Sequence, residues 1–307
     1  MDFITESGRN IMSNRLTIVI VTFNSDDVIS DCLESLNGVP NILVVDNGSS
    51  DRTKNIVDRF KSVTLINVND NLGYGAAANL GFSKVKTEFG LLMNPDIRLR
   101  QDAIKNLIQA ADHYVDAGVL APTIWEPNNH IQFGQRSFGR PLERVGNLGA
   151  CLPQGDCCTV FLLGAALFFP MAKFNSIGGF DENIFLYYED DDICMRMSKA
   201  GFSLIHVNSA HADHGAGKST QKSSELEWWR WWHTGWSRAY MQKKYKGTVT
   251  IFYTRLPLYM FKAAGYRLLG NVKKNNQYSG LLKGIFSYLR GIKARDVRLP
   301  VFPFKKK

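Results

Sequence analysis

The sequence predicts an α/β chain: a mostly parallel sheet flanked by helices, continued by a basic, mainly helical C-terminal extension. Three observations predict it. Short β-branched apolar runs alternate with stretches of helical period from residue 16 to residue 114, an order that places parallel strands in one sheet with helices on both faces. Most of the runs stop abruptly in polar residues. The charge is also split: residues 241–307 hold 16 Lys and Arg against one acid, Asp296, whereas residues 1–240 hold 21 Lys and Arg against 27 Asp and Glu.

The elements follow in order. LTIVIVTFN (16–24) is a β-branched apolar run and reads as a buried parallel strand. Residues 26–36 carry apolar side chains at 28, 29, 32, 33 and 36, a helical spacing. NILVVDNGSSD (41–51) is a second buried strand ending in a glycine-containing loop. A helix over 53–60, a strand over 63–68 and a helix over 75–84 come next. FGLLMNPDI (89–97) is a fourth strand, and 102–114 a helix. Residues 123–160, rich in Gly and Pro, read as an irregular loop region. VFLLGAALFF (160–169) is strand-like, and HVNSAHADHGAGKS (206–219) reads as a loop carrying histidines.

With 45% hydrophobic and 21% charged residues, the chain is neither disordered nor fibrous. Its five cysteines, Cys32, Cys151, Cys157, Cys158 and Cys194, contain no C-x-x-C pair, which excludes zinc-ribbon and thioredoxin-like readings. An odd count without a signal-like apolar segment at the N-terminus suits a reducing compartment. The longest uncharged apolar stretch, 157–172, is shorter than the ~20 residues of a spanning helix and contains Gly164 and Pro170. The expectation is a soluble or peripheral protein. The basic, apolar tail points to an anionic partner: lipid headgroups, nucleic acid or a lipid diphosphate.

Ligands of such sheets bind beyond the carboxyl ends of the strands. There the sequence gathers Thr22 and Asn24, Asp46 and Asn47, Asn94 and Asp96. Asp96 is a candidate ligand for a hard cation, with Asn94 beside it. A second constellation is YYEDDDICMR, with four consecutive acids, Glu189 to Asp192. A helix N-terminus favours negative charge, yet four adjacent carboxylates exceed what capping needs, and crowding raises some of their pKa values as a general base requires. Spacing separates their roles. Glu189 and Asp190 lie at the turn, while Asp192 sits four residues before Arg196, an ion-pair spacing. Asp190 is therefore the candidate base.

His206, His211 and His214 lie close in sequence, open to a three-histidine zinc site or to a single ligand for a metal or diphosphate. Lys218 and Ser219 are candidate phosphate contacts. Gly73-x-Gly75-x-x-Ala78 approaches a dinucleotide fingerprint, but it follows the third strand instead of the first. Small residues there let a helix pack close to the sheet. EWWRWWHTGWSRAY (227–240) either stacks sugars or bases, lies at a membrane interface, or packs against the protein body.

In IVIVTFN, LVVDNGSSDRT, NDNLGYGAAANLGF, LLMNPDI, GGFDENIFLYYEDDDICMRMSKAGF and HGAGKS, in that order, the chain resembles glycosyltransferase family 2, within it the bacterial rhamnosyltransferase-like branch. The similarity covers residues 16–245. It implies a GT-A nucleotide-sugar-binding fold, a Mg²⁺ or Mn²⁺ ion, and inversion by single displacement. Carried over by position, Thr22, Asn24, Asp46 and Asn47 match nucleoside contacts, and Asn79 and Asn94 match contacts to the donor. Asp96 matches the metal ligand of an Asp-x-Asp motif, in which Asn94 replaces the first Asp. Asp190, preceded by Glu189, matches the base, and His214 the later histidine of the metal–diphosphate site. The implied domains are a polar leader (1–14), a catalytic body (15–245) and a basic amphipathic helical tail (246–307). Implied partners are a dTDP- or UDP-linked sugar donor, a polyprenyl-diphosphate-linked saccharide acceptor of surface polysaccharide assembly, and an anionic membrane surface at the cytoplasmic face. No nucleic acid is expected. A nucleotidyltransferase and a non-catalytic sugar-binding module are the other readings. The first calls for a basic Gly-rich loop after strand one, where VTFNSDDVIS is acidic, and the second does not need the EDDD run.

Overall fold

A computed structural model describes residues 14–127, 130–132, 138, 153–215 and 223–297. Most of the leader, Cys151, Lys218, Ser219 and the end of the tail lie outside the described residues. The chain divides into two compact units, Met1–Asp181 with Asp190–Thr220, and Glu182–Glu189 with Gln221–Lys307.

The first unit is built on one sheet. Its strands are β1 (Leu16–Thr22), β2 (Ile42–Asn47), β3 (Val63–Val68), β4 (Phe89–Met93), β5 (Ile97–Leu99), β6 (Ala117–Glu126), β7 (His130–Gln132), β8 (Cys157–Cys158), β9 (Ala166–Pro170) and β10 (Ser203–His214). The spatial order is β3-β2-β1-β4-β9-β6-β10-β5, with β7 beside β6 and β8 beside β10. β3, β2, β1 and β4 run parallel, as the alternating pattern predicts. β9 inserts antiparallel between β4 and β6, and β5 closes the other edge antiparallel to β10.

Helices cover both faces. Because successive side chains of a strand point to opposite faces, Ile18 and Ile20 enter one core while Val19 and Val21 enter the other. The first core takes α1 (Ile29–Glu34), α2 (Thr53–Val57) and α4 (Ala103–His113). The second takes α3 (Tyr74–Phe82), α5 (Met171–Ser176) and α6 (Glu189–Lys199). α3 lies tight on the sheet: a Cβ at Gly81 would collide with the Val19 side chain and come 3.0 Å from Cγ2 of Val45. This close approach is the use of the small residues in NLGYGAAANLG, so the dinucleotide reading is not needed.

Four expectations are corrected. The run 89–97 is two strands, because Pro95 donates no hydrogen bond and the chain turns through Asn94–Asp96, with Ile97 N–H donating to the Asn94 carbonyl (3.2 Å). The region from 123 is not irregular throughout: β6 continues to Glu126, and β7 and β8 follow. Pro122 disguises β6, since proline is rare in a central strand. It is tolerated because the register of β10 shifts between Val207 and His211, opposite it. Residues 206–214 of the histidine loop belong to β10, and the strand foreseen over 160–169 begins only at Ala166.

The second unit is helical: α7 (Ser224–Lys246), α8 (Ile251–Leu268) and α9 (Val272–Leu289). α7 opens with Ser223 accepting from the Leu226 N–H (3.0 Å) and ends at Gly247 in the left-handed region (φ 69°). Tyr245, read as the end of the catalytic body, lies near the end of this 23-residue helix. The tryptophans of α7 form a core. Trp229, Trp232 and Trp236 are buried with Phe185, Leu226 and Ala294. Trp236 Nε1–H donates to the Ile292 carbonyl (2.7 Å), and that of Trp229 to the Val297 carbonyl (3.3 Å). Gly235, Gly280 and Gly284 let α7 and α9 touch backbone to backbone.

Candidate active site

The strand-end residues hold one another's loops. Thr22, the last residue of β1, is fully buried and donates from Oγ1 to Asp46 Oδ1 (3.1 Å), while Asp46 Oδ2 accepts the Ser49 N–H (3.0 Å). Asn24 sits in the left-handed region (φ 51°), and its Oδ1 accepts the Ser50 N–H (2.9 Å). Asn47 Nδ2–H donates to Asn71 Oδ1 (3.0 Å), and its Oδ1 accepts the Leu72 N–H (2.8 Å). These side chains shape the rim beyond β1 and β2, at the carboxyl ends of the parallel strands where ligands of such sheets bind.

Asn79, matched by resemblance to a donor contact, bonds to a neighbouring turn. Its amide pairs with both backbone groups of Phe180: Nδ2–H donates to the carbonyl (2.9 Å) and Oδ1 accepts the N–H (2.8 Å). Asn79 therefore pins the Gly178–Gly179 turn to α3.

The pairing of β5 with β10 brings Asp96 and His214 together across 118 positions of sequence. Asp96 Oδ2 lies 3.5 Å from His214 Nε2, and both residues are largely buried. The Asp96 carboxylate raises the His214 pKa above its ordinary value, against the opposing effect of burial. Asp96 Oδ1 and His214 Nδ1 are buried without a hydrogen-bond partner among the described residues. The Asp96 carbonyl accepts the Gly215 N–H (2.8 Å), and a Cβ at Gly215 would press on Asp96 Cβ at 3.3 Å.

The other histidines go elsewhere. His206 is buried beside Thr123 Oγ1 (3.2 Å), and burial pushes its pKa down to about 4. His211 Nδ1 accepts from Trp125 Nε1–H (3.2 Å). A three-histidine site is not formed, and among the described residues no three His, Cys, Asp or Glu side chains gather as a metal cage.

A set of hydrogen bonds runs from Asn94, two residues before Asp96, to the acidic cluster. Tyr74 Oη–H faces two acceptors, Asn94 Oδ1 (2.8 Å) and the Gly164 carbonyl (3.4 Å). Gly164 N–H in turn donates to Asp190 Oδ2 (3.1 Å), and the Asp191 N–H donates to Asp190 Oδ1 (3.0 Å). A Cβ at Gly164 would stand 3.2 Å from Asp190 Cβ. Burial raises the Asp190 pKa, and the backbone N–H donors oppose the rise. Asp191 is pushed up to about 7, by burial first and then by the charge of Asp190, while the Phe138 N–H it accepts (2.6 Å) works the other way. Asp192 is buried and accepts from Arg196 Nε–H (2.7 Å), the ion pair its spacing foretold.

Glu189 opens α6 and is grouped with the helical unit. The chain reaches it through Tyr187 and Tyr188, both in the left-handed region (φ 65° and 72°), a strained entry of the kind that clusters at functional sites. Sequence reasoning missed Tyr74, Gly164 and Asp191. Tyr74 and Gly164 lie inside quoted motifs, but only the folded chain shows that they touch Asn94 and Asp190.

Residues 17–163 match the model of glycosyl transferase family 2. The fold is of the GT-A type, and the chain is a glycosyltransferase. A solved structure titled as GalNAc-T7 with UDP, GalNAc and Mn2+ superposes with a TM-score of 0.54 at 13% identity, over 65% of this chain and 43% of that one, a likeness of fold. Within that class the chain is rhamnosyltransferase-like. It is 28% identical over 283 residues to the N-acetylglucosaminyl-diphospho-decaprenol L-rhamnosyltransferase of Mycobacterium tuberculosis, covering 78% of this chain and 92% of that one. It is also 26% identical over 223 residues to rhamnosyltransferase WbbL of Escherichia coli, covering 65% and 83%.

Proposed function

We propose that the chain transfers L-rhamnose from dTDP-rhamnose, with inversion, to a saccharide carried on a polyprenyl diphosphate at the cytoplasmic face of a membrane, a step of surface polysaccharide assembly. The observation that carries the reading is the convergence in one unit of the Asp96–His214 pair and the Tyr74–Gly164–Asp190 relay, beside the carboxyl ends of β1, β2 and β4. The rhamnosyltransferase relatives point to the sugar, and the first of them is named for a lipid-diphosphate acceptor.

Asp190 accepts the proton of the acceptor hydroxyl as its oxygen bonds to the anomeric carbon and the bond from that carbon to the diphosphate breaks. Burial raises the basicity of Asp190, and the Gly164 and Asp191 N–H groups fix where its oxygens point. The Thr22, Asn24, Asp46 and Asn47 rim receives the nucleoside, and Asn94, which accepts from Tyr74 Oη (2.8 Å), contacts the sugar. The Asp96 and His214 donor set, with Asp96 Oδ1 buried and unpartnered among the described residues, would hold a Mg²⁺ or Mn²⁺ ion, which would offset the charge of the leaving diphosphate. A UDP-sugar donor is the second reading, because the rim does not by itself distinguish the bases.

Thermal stabilisation by a panel of nucleotide-sugars with each metal identifies the donor. With that donor, Asp190→Asn is expected to keep binding while turnover falls about 10²-fold or more. Unchanged turnover removes Asp190 from the role of base.

A further inference from the structure

In the helical unit, α8 is built the wrong way round for a helix surrounded by water. Its inward side is narrow: Phe252 and Leu256 are buried against Ala239 and Ile285, with Tyr259 packed beside them. Its outward side is apolar. Thr254, Leu258, Phe261, Gly265 and Leu268 recur at intervals of four and three residues, the spacing of one helix stripe. Phe261 is 78% exposed and Leu268 89%, with Leu258 at 47% and Leu269, just past the helix, at 78%. Tyr253, Pro257, Met260 and Ala264 widen the stripe on one side and are exposed as well.

Basic residues border this face, Arg255 and Lys262 on one edge and Arg267 on the other, and no Asp or Glu stands between Glu227 and Asp296. Among the described residues no helix is long and apolar enough to cross a membrane. An exposed apolar patch of this kind marks an interaction surface, and a helix with an apolar face and cationic borders lies in the plane of a bilayer interface.

We infer that α8 is the membrane-docking element, sinking Leu258, Phe261, Leu268 and Leu269 into the headgroup–acyl boundary of an anionic bilayer while Arg255, Lys262 and Arg267 meet lipid phosphates. A second copy of the chain is the poorer occupant, because a two-fold contact through this face sets like basic borders against each other. The inference deepens the reading of a lipid-linked acceptor by naming the surface that meets the membrane, and its test does not depend on the sugar transferred.

The test is flotation of the full chain with phosphatidylcholine vesicles with and without phosphatidylglycerol, at low and high salt. Wild type is expected to float with the anionic vesicles. Phe261→Ser with Leu268→Ser is expected to weaken partitioning about tenfold or more, since two large apolar side chains leave the interface. Arg255→Gln with Lys262→Gln and Arg267→Gln is expected to weaken it by a similar factor and to flatten its salt dependence. Phe261, Leu268 and Arg267 are exposed and Arg255 and Lys262 half-buried, with none in the core, so circular dichroism and stabilisation by the nucleotide-sugar should match wild type. Loss of donor binding in wild type would count against the catalytic reading and leave this one standing. Wild-type partitioning by the Ser variant overturns the inference. So does a wild-type dimer in sedimentation that the Ser variant converts to monomer with no vesicle binding by either protein.

Discussion

His233 offers a direct measure of how dry the core of the helical unit is. It lies in α7 at 0% exposure, stacked on Phe185 with ring centroids 4.7 Å apart, and boxed by Trp229 (4.1 Å) and Trp232 (4.7 Å). Neither ring nitrogen has a hydrogen-bond partner among the described residues. Burial alone holds its pKa down at about 3. In the unfolded chain the imidazole takes up its proton near the ordinary value of 6.5. Between those two values the unfolded state binds the extra proton, so the stability is complete above 6.5 and falls as pH drops towards about 3. The largest slope is about 1.4 kcal/mol per pH unit, so lowering pH from about 6.5 to about 5 removes roughly 2 kcal/mol, a sizeable part of a typical stability.

The perturbation is His233→Leu, close in volume and unable to titrate. Five of the six tryptophans are in α7, so urea unfolding followed by tryptophan emission reports on this unit. The variant exchanges ring stacking for removal of two unpaired nitrogens, and that packing difference is the same at every pH. The difference in slope between wild type and variant therefore isolates the proton. Wild type should lose the extra stability in acid and the variant should not. Parallel pH profiles would refute the claim that a neutral His233 is sealed in this core.

Two further predictions concern the site. Gly164→Ala places a methyl carbon 3.2 Å from Asp190 Cβ and 3.3 Å from its Oδ2. It should lower turnover about tenfold through a displaced carboxylate while leaving nucleotide-sugar binding intact, and unchanged steady-state rates would show that the relay does not position Asp190. Asp96→Ala should abolish the extra thermal stabilisation that Mn²⁺ gives to the nucleotide complex, without changing stabilisation by nucleotide alone. A metal increment equal to that of wild type would place the ion elsewhere.

Much of this protein was legible before folding. The β-branched runs at 16–24 and 41–51 and the helices after them determine a parallel, doubly covered sheet, because only that arrangement buries such runs on both faces, while the run 63–68 forms its half-exposed edge. The polar ends of those runs mark the rim for the same topological reason, and the four-residue spacing of Asp192 and Arg196 is enough to pair them on one helix turn. Pattern also determined that the C-terminal stretch is basic and amphipathic. Only the tertiary structure decided what these parts do together. β10 hides as a loop because its apolar members at one end are small, Ala210 and Ala212, between polar residues, and its pairing with β5 is a contact between distant segments that no local period encodes. That pairing alone carries His214 to Asp96. The same is true of Tyr74, Gly164 and Asp190, which meet because three loops end on one side of a sheet. Likewise α8 could be read as amphipathic from its residues, but packing against α7 and α9 decided that its apolar stripe faces outward.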